Sequence, residues 1–173
     1  MLCLEYRVLE SLIFLVEWMI AMVLSLNAAS KTDMSRMISN VSVFAGVGLP
    51  EQHLIIDKCQ SLDFDTDEVV IRQGDIGDHL YFILKGAVSV SRTTESGQVI
   101  KLATLVSGDV FGEIAILRNI PRTASVITIT PCTFLSIDAD SFLDIYQYFS
   151  AQSRDNIQLV VEKRLMEQRA SSQ

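Results

Sequence analysis

Apolar and polar positions change their rhythm several times along the chain. From Leu2 to Leu26 most positions are apolar, and between Leu12 and Leu26 only Glu17 and Ser25 interrupt the run. Wound as a helix, this stretch gathers Arg7, Glu10, Ser11, Glu17 and Ser25 into one narrow stripe and leaves most of its circumference greasy. Ser30 to Asp33 is a polar break. Met34 to Asn40, continued by Val41, Val43 and Phe44, reads as a short helix, and Gly46 and Gly48 as a loop. Pro50-Glu51-Gln52 then opens a second helix through Leu54, Ile55, Ile56 and Cys59, with proline in the first turn and an acid beside it.

From Leu62 to Asp138 the pattern becomes short strands separated by turn residues. Strands are predicted over 69–73, 80–84, 87–92, 99–105, 125–130 and 133–137, with reversals at Gly74 to Asp78, at Gly86 and at Glu95-Ser96-Gly97. Val88-Ser89-Val90-Ser91 and Val126-Ile127-Thr128-Ile129-Thr130 alternate, so each should keep one wet face. The helical period returns after Asp138. Asp140-Ser141 can cap a helix carrying Phe142, Ile145 and Phe149, and Ser150 to Arg169 forms another with Ile157, Val160, Val161 and Leu165.

One stretch inside the strand region breaks the pattern. Phe111 to Val126 embeds an acid, Glu113, and a base, Arg122, among small and apolar residues. Gly112 lets the backbone turn sharply, so Glu113 to Leu117 can begin a helical turn whose bare N–H groups attract phosphate. Arg122 follows Pro121, and a guanidinium grips two phosphate oxygens at once. A carboxylate repels phosphate, so Glu113 needs a different partner, such as a sugar hydroxyl that donates to it. A ribose cyclic phosphate offers both groups.

Phe111-Gly112-Glu113-Ile114-Ala115-Ile116-Leu117 followed by Pro121-Arg122-Thr123-Ala124-Ser125-Val126 resembles the phosphate-binding cassette of the cyclic-nucleotide-binding domain family. The resemblance extends upstream through Ile71 to Gly86 and covers residues 34 to 165, leaving the first thirty or so without a counterpart. It implies an α+β fold: an antiparallel β-roll, or jelly roll, of about eight strands, with a short phosphate-binding helix, flanking N-terminal helices and two C-terminal helices. The implied organisation is an apolar N-terminal helix over 1–30 and a binding domain over 31–173. In the implied site Glu113 accepts from the ribose 2′-hydroxyl, Arg122 clamps the phosphate, and Gly112, Ile114 and Ala115 form the turn, with Gly112 and Ala115 as backbone donors. Asp78 resembles the acid that holds the arginine, and Ala124 is small where the ligand lies close. Thr123 stands where a hydroxyl can meet guanine, which leans the ligand toward cGMP while leaving cAMP open. The last helix would close over the base with Ile157 or Val160, where several relatives place an aromatic ring. Ligand binding would thereby become movement of the C-terminal helices.

Composition narrows the alternatives. A chain of 173 residues holds one domain plus an extension. The net charge of −7 and the pI near 4.7 argue against a nucleic-acid partner, which clustered Lys and Arg would bind. Cys3, Cys59 and Cys132 are odd in number and far apart, which suits a reducing cytoplasm and offers no Cys-x-x-Cys pair. His53 and His79 are isolated, so no metal site is expected, and each reads as a surface or loop residue. No nucleophile with a paired base appears, so the chain reads as a sensor and not an enzyme, with no cofactor beyond the ligand. The competing reading is a degenerate domain that serves only as a protein-interaction scaffold. For residues 2–26 three readings compete: a membrane helix, although its apolar run is shorter than the roughly twenty residues that span comfortably; a helix that pairs with a protein partner; or a secretory signal ending at Ala28-Ala29-Ser30. Lys31 and Arg36 would suit the cytoplasmic flank of an inserted helix.

Overall fold

Strand alternation converts directly into two packed sheets in the structure, a computed structural model that describes Ser35, Phe44 and residues 46–170. The strands are β1 (Gln60–Phe64), β2 (Val69–Ile71), β3 (His79–Lys85), β4 (Ala87–Thr93), β5 (Val99–Val106), β6 (Val110–Phe111), β7 (Ser125–Thr128) and β8 (Cys132–Asp138). One sheet has the order β1-β8-β3-β6 and the other β2-β7-β4-β5, and every pairing is antiparallel. On β4, Val88 and Val90 turn inward, each flanked by β5 and β7: Val88 pairs with Leu105 and Thr128, and Val90 with Ala103 and Val126. Ser89 and Ser91 take the wetter face. This is the antiparallel jelly roll that the sequence implies.

The core between the sheets draws Ile71, Val88, Val90 and Val126 from one and Tyr81, Ile83, Phe111 and Phe134 from the other. Tyr81 stacks on Phe111 with centroids 5.0 Å apart, and Phe111 meets Phe134 edge-on at 5.4 Å. Each such side chain contributes roughly 1.5–3 kcal/mol on full burial. The Tyr81–Phe111 stack also ties the two-residue strand β6, and with it the entrance to the 112–118 segment, to the centre of the roll.

Among the described residues the helices that border the roll are α1 (Leu49–Lys58), α2 (Glu113–Arg118), α3 (Ala139–Tyr146) and α4 (Ala151–Ala170). In α1, Pro50 and Glu51 occupy the first turn, Lys58 the last, and Gln52, Ile55 and Ile56 face inward. Phe44 packs against Phe82 and Phe142 at 5.4 and 6.0 Å. In α4 the buried positions are Ser153, Ile157 and Val161, one face at a spacing of four. Ser153 Oγ donates to Gly46 O at 3.1 Å, which pins the start of α4 to the loop before α1.

Some elements differ from the sequence reading. β1 escapes it because Gln60 to Asp63 are exposed and mixed in polarity, and the strand exists through its ladder with β8. β6 escapes it because two residues carry no periodicity. Expected strands over 69–73 and 125–130 stop at Ile71 and Thr128: after Ile71 the chain turns, with Asp75 N donating to Arg72 O at 3.3 Å, and after Thr128 it bends before Pro131. The cap of α3 is Asp138 and not Asp140-Ser141: its carboxylate accepts from Ser141 N at 2.8 Å, because the chain leaves β8 already turning. His79 begins β3 with its side chain 40% exposed, so it is the surface setting, and not the loop, that it takes. The helix expected over 34–40 falls outside the described residues except for Ser35, which is helical. The apolar segment 2–26 also lies outside them. Among the described residues no helix is long and apolar enough to cross a membrane.

Candidate functional site

Arg122 is the centre of the site. Its residue is only 5% exposed, and its guanidinium is held by the protein on three sides. Nη1 donates to Gly112 O at 2.9 Å, while Nη2 donates to His79 O at 2.7 Å and to Asp78 Oδ1 at 3.3 Å. The 74–78 loop wraps the same residue through its backbone: Arg122 N donates to Asp75 O at 2.8 Å, and Gly74 N to Arg122 O at 2.9 Å. Two glycines make the room. A Cβ on Gly77 would stand 2.7 Å from that of Ala115, and one on Gly112 would stand 2.7 Å from Arg122 Nη1, where φ of +87° already favours glycine.

Burial pulls the Arg122 pKa below its ordinary value, while the neighbouring charges of Asp78 and Glu113 pull it back up, and the guanidinium stays charged. At Asp78, whose side chain is 72% exposed, slight burial raises the pKa. The His79 hydrogen bond, its own backbone amide and the His79 and Arg122 charges outweigh that burial and hold it below the usual carboxylate range. His79 Nδ1 lies 3.3 Å from Asp78 Oδ2, so His79, Asp78 and Arg122 form one chain of contacts.

Helix α2 starts from Gly112 in the left-handed region and ends at Asn119, also left-handed, whose N–H returns to Ile116 O. Ile114 and Ala115 are buried, and Glu113 is 2% exposed. Beside this turn lies a cavity of about 280 Å³, floored by Val90, Leu102, Ala103 and Leu105 of β4 and β5 and walled by Gly112 to Ala115 and Arg122 to Ala124. All seven of the expected ligand residues, Gly112, Glu113, Ile114, Ala115, Arg122, Thr123 and Ala124, line it. The volume sits near the lower edge of the roughly 300–1,000 Å³ usual for small-ligand sites.

Residues 61–149 match the family described as cyclic nucleotide-binding domain. The chain belongs to that family. It is 32% identical over 108 residues to the CRP-like cAMP-activated global transcriptional regulator of Mycobacterium tuberculosis, covering 62% of this chain and 48% of that protein. It is 32% identical over 125 residues to Potassium channel KOR1 of Oryza sativa subsp. japonica, covering 72% and 15%. The solved regulatory domain of Toxoplasma gondii PKA with cAMP aligns with a TM-score of 0.64 at 26% identity, over 68% of this chain and 44% of that one. The chain thus spans less than half the length of each of these relatives.

Within this cyclic-nucleotide-binding fold the last helix meets the cavity elsewhere than expected. Ile157 is fully buried and Val160 half-buried, and neither lines the cavity; Arg164, Glu167 and Gln168 do. The reason is register, since α4 runs for 20 residues and passes the cavity only in its last two turns. Arg164 Nη1 donates to Glu113 Oε1 at 2.6 Å and to Val110 O at 3.0 Å. No sequence pattern signalled these residues, because the pairing joins positions 51 apart. Among the described residues no group of three His, Cys, Asp or Glu side chains could hold a metal ion.

Proposed function

We propose that this chain is a cyclic-nucleotide-binding regulatory module whose ligand is a purine ribose 3′,5′-cyclic phosphate, cAMP or cGMP. The observation that carries the reading is the buried, pre-oriented Arg122 at the edge of an apolar cavity. A guanidinium has five N–H donors, and the contacts to Gly112, His79 and Asp78 engage three of them. Two remain for phosphate oxygens. Because its partners fix the fork before any ligand arrives, little side-chain freedom is lost on binding. Glu113 accepts from the ribose 2′-hydroxyl, and the floor of Val90, Leu102, Ala103 and Leu105 receives the base or sugar face.

Thr123 lines the cavity and can donate to or accept from a base edge, so it is the proposed selectivity residue between the two ligands. The output is movement of α4, which already touches the acceptor through Arg164. The proposal assigns binding to residues 31–173 and an anchoring or partner-pairing role to 1–30, with the binding domain in the cytoplasm, where the free thiols Cys59 and Cys132 stay reduced.

Calorimetry of the full chain with cAMP and cGMP in parallel tests the reading. Saturable binding of at least one ligand at a single site is expected. Absence of heat and of competition with both ligands would leave the non-binding scaffold as the surviving reading.

A further inference from the structure

The C-terminal helix reaches back to both ends of the phosphate-binding turn. At its start, Arg164 Nη1 holds Glu113 Oε1 at 2.6 Å; at its end, Arg118 Nη2 meets Glu162 Oε1, also at 2.6 Å. The polarity is crossed: α2 offers an acid and then a base, and α4 offers an acid and then a base two residues on. A slide or rotation of α4 by one residue would break both pairs, so together they fix its register against the cassette. Arg164 is additionally tied to the backbone at Val110 O, 3.0 Å away, and its side chain is largely covered. It is therefore held between the backbone and one oxygen of a carboxylate that is itself buried.

We propose that Arg164 is a positioning residue for ribose recognition, aiming the Glu113 carboxylate at the sugar. This rests on the binding role proposed above for Glu113. An ionised carboxylate has two oxygens and about four acceptor sites, so the Arg164 bond leaves capacity for a 2′-hydroxyl. Arg164 thus supports the ligand and does not compete with it. A charge-assisted bond to a nearly unexposed carboxylate also holds that group in one orientation. Binding at the sugar and placement of α4 become one event, because the same carboxylate serves both.

The test is equilibrium binding of cAMP and 2′-deoxy-cAMP to the full chain and to Arg164→Gln, Glu113→Gln and the double variant. Wild type should prefer the ribose form. Arg164→Gln should weaken the ribose form about tenfold, the loss of one charge-assisted contact, and leave the deoxy form unchanged, so that the preference collapses. The double variant should lose no more preference than Glu113→Gln alone, because Arg164 acts through Glu113. It removes both charges, so it stays informative even where Arg164→Gln leaves a lone buried acid and folds poorly. Equal loss for both ligands, no loss, a gain of affinity, or full additivity in the double variant would each overturn the positioning role while wild type still binds. A wild type that binds neither ligand would instead overturn the binding reading and this inference with it.

Discussion

Arg122 Nη1 donates to the carbonyl of Gly112 at 2.9 Å, and a methyl group on Gly112 would stand 2.7 Å from that same nitrogen. The turn that opens α2 and the side chain that faces the cavity are thus one fitted unit. Gly112→Ala should destabilise the fold by about 1–3 kcal/mol, through strain at φ +87° and displacement of the guanidinium. Thermal unfolding and ligand titration of the variant check this. Wild-type affinity in a folded Gly112→Ala variant would uncouple the turn from the arginine.

Arg122→Lys should weaken cyclic-nucleotide binding by at least tenfold. A point ammonium cannot reach Gly112 O, His79 O and Asp78 and still present a two-pronged donor, and disrupting a buried hydrogen-bonded charge costs about 2–5 kcal/mol. The readout is the dissociation constant; an unchanged value removes Arg122 from the site.

Thr123→Ala probes selectivity. If the hydroxyl meets guanine, cGMP affinity should fall by about 1 kcal/mol with cAMP nearly untouched. Parallel titrations decide it, and equal losses would mean that the hydroxyl serves the phosphate.

The start of α3 carries a pH signature. The backbone hydrogen bond from Ser141 holds the Asp138 carboxyl below the usual carboxylate range. A lowered folded pKa adds stability that is present above the unfolded value of about 4 and is lost as pH falls through the folded value. Asp138→Ala should cost about 1 kcal/mol at neutral pH and flatten the acid limb of the stability profile. An acid limb identical to that of wild type would deny the cap this role.

Residues 1–30 should drive association. The full chain is expected to float with vesicles, and Glu17→Leu to strengthen that flotation, because an acid inside a span costs about 2.5–3.5 kcal/mol. A full-length chain that stays a soluble dimer, and becomes monomeric when 1–30 are deleted, would favour a pairing helix over a membrane one.

The 112–124 segment was legible because most of its information is local. Gly112, Glu113, Arg122, Thr123 and Ala124 lie within 13 consecutive positions, and a glycine turn, a short helix and a proline bring them to one wall, while His79 O and Asp78, more than forty positions back, fix the guanidinium there. The inward face of β4 was legible for a similar reason, since a period of two assigns Val88 and Val90 to one side wherever the strand ends up. The ladder of β1 was not, because its exposed polar residues join a sheet only when β8, some seventy positions later, supplies the hydrogen bonds. Nor was the part of α4 that lines the cavity. A helical repeat names the buried face, Ile157 and Val161, but says nothing about how far along its axis the helix passes a neighbour. That offset, which puts Arg164 and not Ile157 beside Glu113, is decided only when helix and roll pack together, because a charge pair between residues 51 apart has no trace in local sequence.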